Sequence, residues 1–280
     1  MTTSKATCTA CPHACKLDDG EFGRCRSRRA VGGAVTPEGY GRITSLALDP
    51  IEKKPIARFM PGTTVLSLGS YGCNMDCPFC QNSSIAHAGA DETDWRIVQP
   101  HEAVDVALEL AAQRCVGIAY TYNEPLVNWE YLRDTGKLAH EAGLVNVLVS
   151  NGMATARVLD EIAPLIDAAN IDLKCFTDEG YRSLGGNLAA VKHTIRTLAE
   201  QPGCHLEVTT LVVPGLSDDE AQIDAMARWL AELDPHIPYH LTRFFPRHRM
   251  AHADPTPVRT LHELADVARQ HLADVMLGNV

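Results

Sequence analysis

From residue 63 onward the sequence alternates between two periodicities, and this alternation limits the fold more than any other feature. Apolar or β-branched runs stand at 63–69 (TTVLSLG), 116–122 (VGIAYTY), 144–150 (LVNVLVS), 170–174 (NIDLK), 206–213 (LEVTTLVV) and 239–245 (YHLTRFF), with a seventh candidate at 274–280 (DVMLGNV). Between most of them lie segments such as 101–115 and 156–169, whose apolar residues recur every three or four positions, the stripe of an amphipathic helix. Pro100 and Pro257 stand where first helical turns should begin, and Ser217-Asp-Asp-Glu220 has the form of a capping box. One strand and one helix in roughly thirty residues call for parallel strands joined by crossovers. The class is therefore α/β: a partial (β/α)6 barrel over residues 63–280, with a doubly wound open sheet as the alternative. In both architectures the loops after the strands' C-terminal ends build the active site.

Two shorter segments precede the barrel. Residues 1–30 are rich in cysteine, and residues 31–62 are rich in glycine and proline, which suggests a turn-dominated linker with a short hairpin around Arg42 to Leu48. The formal net charge of -10 argues against a general affinity for nucleic acid, although residues 1–30 carry a local excess of Lys and Arg. The N-terminus lacks the apolar core of a signal peptide, and no apolar run approaches a membrane span. A cytoplasmic location follows as the expectation. There ten cysteines point to metal binding or catalysis rather than disulfides, and seven of the ten fall within the first 80 residues.

Cys73, Cys77 and Cys80 lie in the stretch CNMDCPFC, directly after the first barrel strand and so at the active-site end. A structural zinc site closes four positions, and the nearest candidate for the fourth is His87. The alternative is an iron–sulfur cluster held by three thiolates, which leaves one iron open to a substrate or cofactor.

The C-x3-C-x2-C spacing, with Phe79 before the last cysteine, resembles the radical S-adenosylmethionine superfamily. The resemblance implies a [4Fe–4S] cluster on Cys73, Cys77 and Cys80 whose open iron chelates S-adenosylmethionine. One electron then cleaves the sulfonium to a 5'-deoxyadenosyl radical that takes hydrogen from a substrate. It also implies a low-potential donor, a flavodoxin or ferredoxin. Further residues at the cofactor follow from the same resemblance. Tyr122, Asn123 and Glu124 stand where the superfamily has a Gly-Gly-Glu-like segment for the cofactor's amino group. Ser150 and Asn151 offer groups for its ribose or carboxylate, Asp172-Leu-Lys174 places a cation near the carboxylate, and His240 matches a histidine of activase-like members.

Several stretches, including CPHAC (11–15), SLALDPIEKKP (45–55), YTYNEP (120–125) and RFFP (243–246), resemble the AmmeMemoRadiSam radical enzymes in the glycyl-radical-activase branch. That narrower resemblance implies an activase-like reaction on a protein or peptide, and Memo-family and Ammecr-family proteins as associates. A radical reaction on a small molecule, and a non-catalytic iron–sulfur or zinc protein, are the alternatives. Cys8, Cys11, Cys15 and Cys25 suffice to close a coordination shell for zinc or an auxiliary iron–sulfur cluster, with His13 as a substitute ligand. Cys115, Cys175 and Cys204 are scattered and read as buried thiols, Cys175 having some claim to the mouth of the site.

Overall fold

A computed structural model describes residues 5–280. Its centre is an eight-stranded sheet: β1 (Ser45–Pro50), β2 (Thr64–Gly69), β3 (Cys115–Tyr120), β4 (Val145–Ser150), β5 (Ala168–Asp172), β6 (His205–Val212), β7 (Tyr239–Arg243) and β8 (Val275–Gly278). Spatial order follows chain order, and β2 to β8 are all parallel. The parallel part has seven strands rather than six, because the C-terminal candidate run does pair. The edge strands β1 and β8 share no ladder, so the sheet stays open.

The helices begin in the expected stripes but are shorter: the one expected over 101–115 ends at Glu109, and the one expected over 156–169 ends at Ile162, with Ala168 already in a strand. They are α1 (Pro100–Glu109), α2 (Trp129–Glu141), α3 (Ala156–Ile162), α4 (Asp178–Ser183), α5 (Leu188–Glu200), α6 (Glu220–Leu233) and α7 (Val258–Ala268). Pro100 is the first residue of α1, behind a capping box of Gln99 and Glu102. Ser217 does not cap α6. Asp219 does, while the Ser217 hydroxyl bridges Val213 and Leu211 in the turn before it.

Both faces of the sheet are buried, as parallel strands under crossover helices require. Leu66, Leu68, Ile118, Leu148 and Ile171 join the large core that includes the helices. Val65, Ala119, Val147 and Ala168 face the other way, onto Ile51 and Ile56. Those two isoleucines belong to the segment expected to be a linker. The expected hairpin around Arg42 to Leu48 does not form: Arg42–Ile43 pairs with Arg96–Ile97, and Ser45–Pro50 becomes the antiparallel edge strand β1. The chain then crosses this second face of the sheet. The Pro55 carbonyl accepts from Asn170 Nδ2 (2.7 Å), and the Ala57 and Arg58 N–H groups donate to Glu207 Oε1 (both 2.8 Å). Arg58 continues to Asp274 beside β8 (3.0 Å). No helix among the described residues is long and apolar enough to cross a membrane.

Candidate active site

The stretch from Cys73 to Cys80 leaves the C-terminal end of β2 and is fixed from five directions. Asn123, after β3, accepts from Ser70 N (2.9 Å) and donates to the carbonyls of Tyr71 (3.1 Å) and Gly72 (3.0 Å). Asn74 Nδ2 donates to the Met153 carbonyl (2.7 Å), and the His13 ring donates to the Asn74 carbonyl (2.8 Å). Asp76 N donates to the Leu184 carbonyl (2.8 Å). In the loop after β7, Arg249 pairs with Asp76 (2.9 Å), and Met250 N donates to the Pro78 carbonyl (3.2 Å). A cavity of about 230 Å³ opens beside Cys73, lined by Arg24, Arg26, Met75, Asp76 and His87.

The sulfur atoms receive donors and a nearby cation. Met75 N lies 3.4 Å and Asn151 Nδ2 lies 3.5 Å from Cys73 Sγ. The Asn82 N–H favours the thiolate of Cys80, and the charge of Lys174 favours those of Cys77 and Cys80. Burial works the other way. It raises all three thiols and pushes Cys77 up to about 11, while the carboxylate of Glu124 adds to the rise at Cys73. A thiol in that state becomes a ligand by losing its proton to metal binding. Three thiols on one short loop, with N–H donors and an ammonium to offset negative charge, form a donor set suited to an iron–sulfur cluster. His87, the fourth ligand of the zinc alternative, has its ring toward Asp76 (3.9 Å) and edge-on against His248 (4.9 Å).

The other candidate residues divide into three groups. Glu124, Ser150 and Asn151 lie with the cysteines. Glu124 is buried and accepts from Ser150 Oγ (2.7 Å), Asn151 N (2.8 Å) and Leu126 N (3.0 Å). Burial outweighs those three bonds and lifts its carboxyl to about 7. Asn151 also donates to Asn74 Oδ1 (2.9 Å), so the ends of β2, β3 and β4 form one network around Cys73. Asp172 and Lys174 make a second group, paired at 2.8 Å. Burial opposes the Lys174 charge, but Asp172 and Cys77 outweigh it and its pKa is raised.

In the third group the side chains bond or pack elsewhere. Tyr122 adopts a left-handed backbone (φ 73°), its hydroxyl donates to Asp49, and Lys54 sits 4.6 Å from its ring centroid. His240 bonds through Nε2 to Glu207, and Phe79 packs into the core. Asn123 is near the cysteines, but its amide is spent on main-chain groups. Sequence reasoning missed Asn74, Asp49, Lys54 and Glu207. The last carries a visible signal, a lone acid in the apolar run LEVTTLVV, and Asp49 and Lys54 lie inside SLALDPIEKKP.

A profile of the Radical SAM superfamily matches residues 68–229, from the end of β2 into α6 and more than half of the chain. The chain belongs to the Radical SAM superfamily. It is similar to an uncharacterized protein of Methanocaldococcus jannaschii, with 37% identity over 279 residues, 99% of this chain and 82% of that one. More distant is the indoleacetate decarboxylase activating enzyme of Tractidigestivibacter scatoligenes, 23% identical over 55% of this chain and 53% of its own length. The pyruvate formate-lyase 1-activating enzyme of Escherichia coli K12 is 24% identical, over 60% of this chain and 71% of its own. Two solved structures share the fold. A domain of the pyruvate-formate lyase-activating enzyme from Bacteroides vulgatus has a TM-score of 0.51 at 20% identity, over 58% of this chain and 99% of that one. A radical SAM methyltransferase from Sphaerobacter thermophilus has a TM-score of 0.57 at 16% identity, over 78% and 67% of the two chains. Membership in the radical SAM superfamily implies a [4Fe–4S] cluster and S-adenosylmethionine as cofactors.

Proposed function

We propose that Cys73, Cys77 and Cys80 hold the cluster and that this radical SAM enzyme acts on a protein or peptide, in the manner of an activating enzyme. The observation that carries the reading is the relatives with an assigned activity, which activate other proteins: a decarboxylase, a formate-lyase and a sulfite-lyase. The open sheet supports it, since a polypeptide segment needs lateral access that a closed barrel denies. When bound, the cluster supplies an electron to S-adenosylmethionine, whose cleavage gives a hydrogen-abstracting radical.

The chain's own residues bind and orient. Three hydrogen bonds leave Glu124 Oε2 one direction for the cofactor's ammonium, and an arriving cation favours the ionised carboxylate. Ser150 is engaged by Glu124 and Gly152 and acts by positioning that carboxylate. Lys174 keeps two N–H groups beyond its bond to Asp172 for the cofactor's carboxylate. Asn151 donates to the Cys73 sulfur, and Asn123 fixes the chain that leads into it. A low-potential carrier such as flavodoxin or ferredoxin supplies the electron.

The test uses protein reconstituted with iron and sulfide without oxygen, supplied with S-adenosylmethionine and dithionite. Deuterium-labelled extract of the native cell, separated by size, is added, and 5'-deoxyadenosine is analysed for deuterium. Label transferred from the protein fraction and abolished by protease supports the reading. Label transferred only from the small-molecule fraction replaces it with a small-molecule substrate.

A further inference from the structure

Cys8, Cys11, Cys15 and Cys25 are all free thiols, gathered beside the site but outside the network described above. Cys8 and Cys15 are joined by a main-chain bond (Cys8 N to the Cys15 carbonyl, 2.9 Å). A Cβ at Gly23 would lie 3.8 Å from Cys15 Sγ, so residue 23 brings the chain back onto the same spot. Negative charge on Cys8, Cys15 or Cys25 would raise the Cys11 thiol, and charge on Cys8 would raise that of Cys25, so these sulfurs lie within electrostatic reach of one another. Ala14 and Arg26 take left-handed backbone angles (φ 43° and 59°), the first directly before Cys15 and the second directly after Cys25, and turn the chain around the sulfurs.

Two further observations point to a ligand. The main-chain N–H of His13 favours the thiolate of Cys11, and those of Ser27 and Arg28 favour that of Cys25, as Met75 and Asn82 do for Cys73 and Cys80. Cys115 and Cys175 receive such bonds too, but each stands alone. The second observation is Arg28. Its side chain is 6% exposed, its Nε has no hydrogen-bond partner, and its charge acts on both Cys8 and Cys25. A buried guanidinium N–H without a partner is costly unless an anion completes it. Four thiolates around a metal centre carry that negative charge, whereas four neutral thiols do not. The His13 ring is committed to the Asn74 carbonyl, which leaves the ligand set to the four sulfurs. They do not yet converge on a single-ion position, so ligation needs side-chain rotation or a cluster of wider span.

The same unit grips the Cys73–Cys80 loop. A Cβ at Gly72 would lie 2.3 Å from the Cys25 carbonyl and 2.8 Å from Ser27 Cβ, so residue 72 packs directly on this unit. His13 holds the Asn74 carbonyl, Thr155 N donates to the Ala10 carbonyl (3.2 Å), and Thr155 Oγ1 donates to the Thr9 carbonyl (2.7 Å). We propose that Cys8, Cys11, Cys15 and Cys25 bind a tetrathiolate metal centre, a zinc ion or a second iron–sulfur cluster, and that this centre braces the loop carrying Cys73. The bracing half rests on the reading that Cys73, Cys77 and Cys80 hold the catalytic cluster. The metal site itself does not.

The first experiment separates the two. The variant with Cys73→Ser, Cys77→Ser and Cys80→Ser together, purified without oxygen, is analysed for zinc, iron and acid-labile sulfide. About one zinc, or about four irons with sulfide, per chain is expected and tells the two metals apart. A folded variant free of metal overturns the site. If that variant does not fold, the wild type is compared with Cys11→Ser: loss of zinc, or of iron beyond one cluster, supports the site, and unchanged metal content overturns it. The bracing is read with His13→Ala, which leaves the four sulfurs intact. It should keep the N-terminal metal and lose the other cluster's iron to a chelator about tenfold faster, the scale of an outer contact to a metal ligand. An unchanged rate overturns the bracing.

Discussion

The amide of Asn151 shows how far a strand-end position is from a role. Read from the sequence, Ser150-Asn-Gly152 ends a barrel strand and so offers an amide to a cofactor. In the structure the side chain turns back: Nδ2 reaches both Asn74 Oδ1 and Cys73 Sγ, and Oδ1 accepts from Met153 N. A hydrogen bond to a ligating sulfur withdraws charge from it and raises the cluster potential. Asn151→Ala should therefore bind a full complement of iron but carry a cluster of lower potential. Its yield of 5'-deoxyadenosine with a physiological carrier should fall roughly 10- to 100-fold. Redox titration followed by electron paramagnetic resonance checks this, and an unchanged potential removes Asn151 from the account. The residue types and strand ends were legible in the sequence, since each sits at the right end of the sheet. Side-chain direction was not, because it depends on partners such as Asn74 that only the folded loop brings within reach.

At the scale of elements, the main surprise is the segment read as a linker. Its SLAL run was read as part of a local hairpin around Arg42 to Leu48, and its partner β2 was assigned to the barrel alone. Edge pairing is decided by register across the sheet, which local pattern does not contain. The helices and parallel strands were legible because their periodicities are long. The segment after β1 is anchored by Glu207, whose side chain is fully buried. Burial opposes its ionisation, but bonds from His205, His240, Ala57 N and Arg58 N outweigh this and lower its pKa to about 2. A carboxyl lowered on folding contributes stability above the ordinary carboxylate range and loses it as pH falls through that range toward 2. With His205 partly open to water, the contribution is about 2 kcal/mol. Glu207→Gln should lose about that much at pH 7, and its deficit against wild type should shrink as pH falls below about 4. Urea unfolding at pH 7 and pH 3 measures both, and a constant deficit would place its origin in packing instead. A second element-scale contrast uses two glycines with left-handed angles, Gly72 (φ 86°) and Gly143 (φ 74°). Around a Cβ at 143 the space is open within 4 Å, whereas at 72 the Cys25 carbonyl stands at 2.3 Å. Gly143→Ala should cost about 1 kcal/mol from backbone strain alone. Gly72→Ala should cost more and lower the iron content, and equal effects would show that the contact with Cys25 is unimportant.

Across the whole molecule, charge is distributed against its own average. The chain carries a formal net charge of -10, yet exposed Arg24, Arg26, Arg247 and Arg249 gather with His87 and His248 around the Cys73–Cys80 loop, opposed there by Asp76 and Glu92. An electron carrier must approach where a cluster is nearest the surface, and a cationic mouth on an acidic body favours the approach of an acidic carrier there. Arg26 and Arg249 are paired with Glu92 and Asp76, whereas Arg24 and Arg247 make no ion pair among the described residues and keep their charge for a partner. Arg24→Glu with Arg247→Glu should therefore slow reduction by an acidic flavodoxin or ferredoxin roughly tenfold at low salt. The difference from wild type should fade as ionic strength rises and the Debye length shrinks below about 8 Å. Photoreduction by a neutral deazaflavin should proceed equally in both proteins, because it does not depend on docking. Stopped-flow measurement of cluster bleaching across a salt series gives all three quantities. If the double variant and the wild type show the same salt dependence with the protein carrier, the carrier docks elsewhere and the arginines serve the substrate instead.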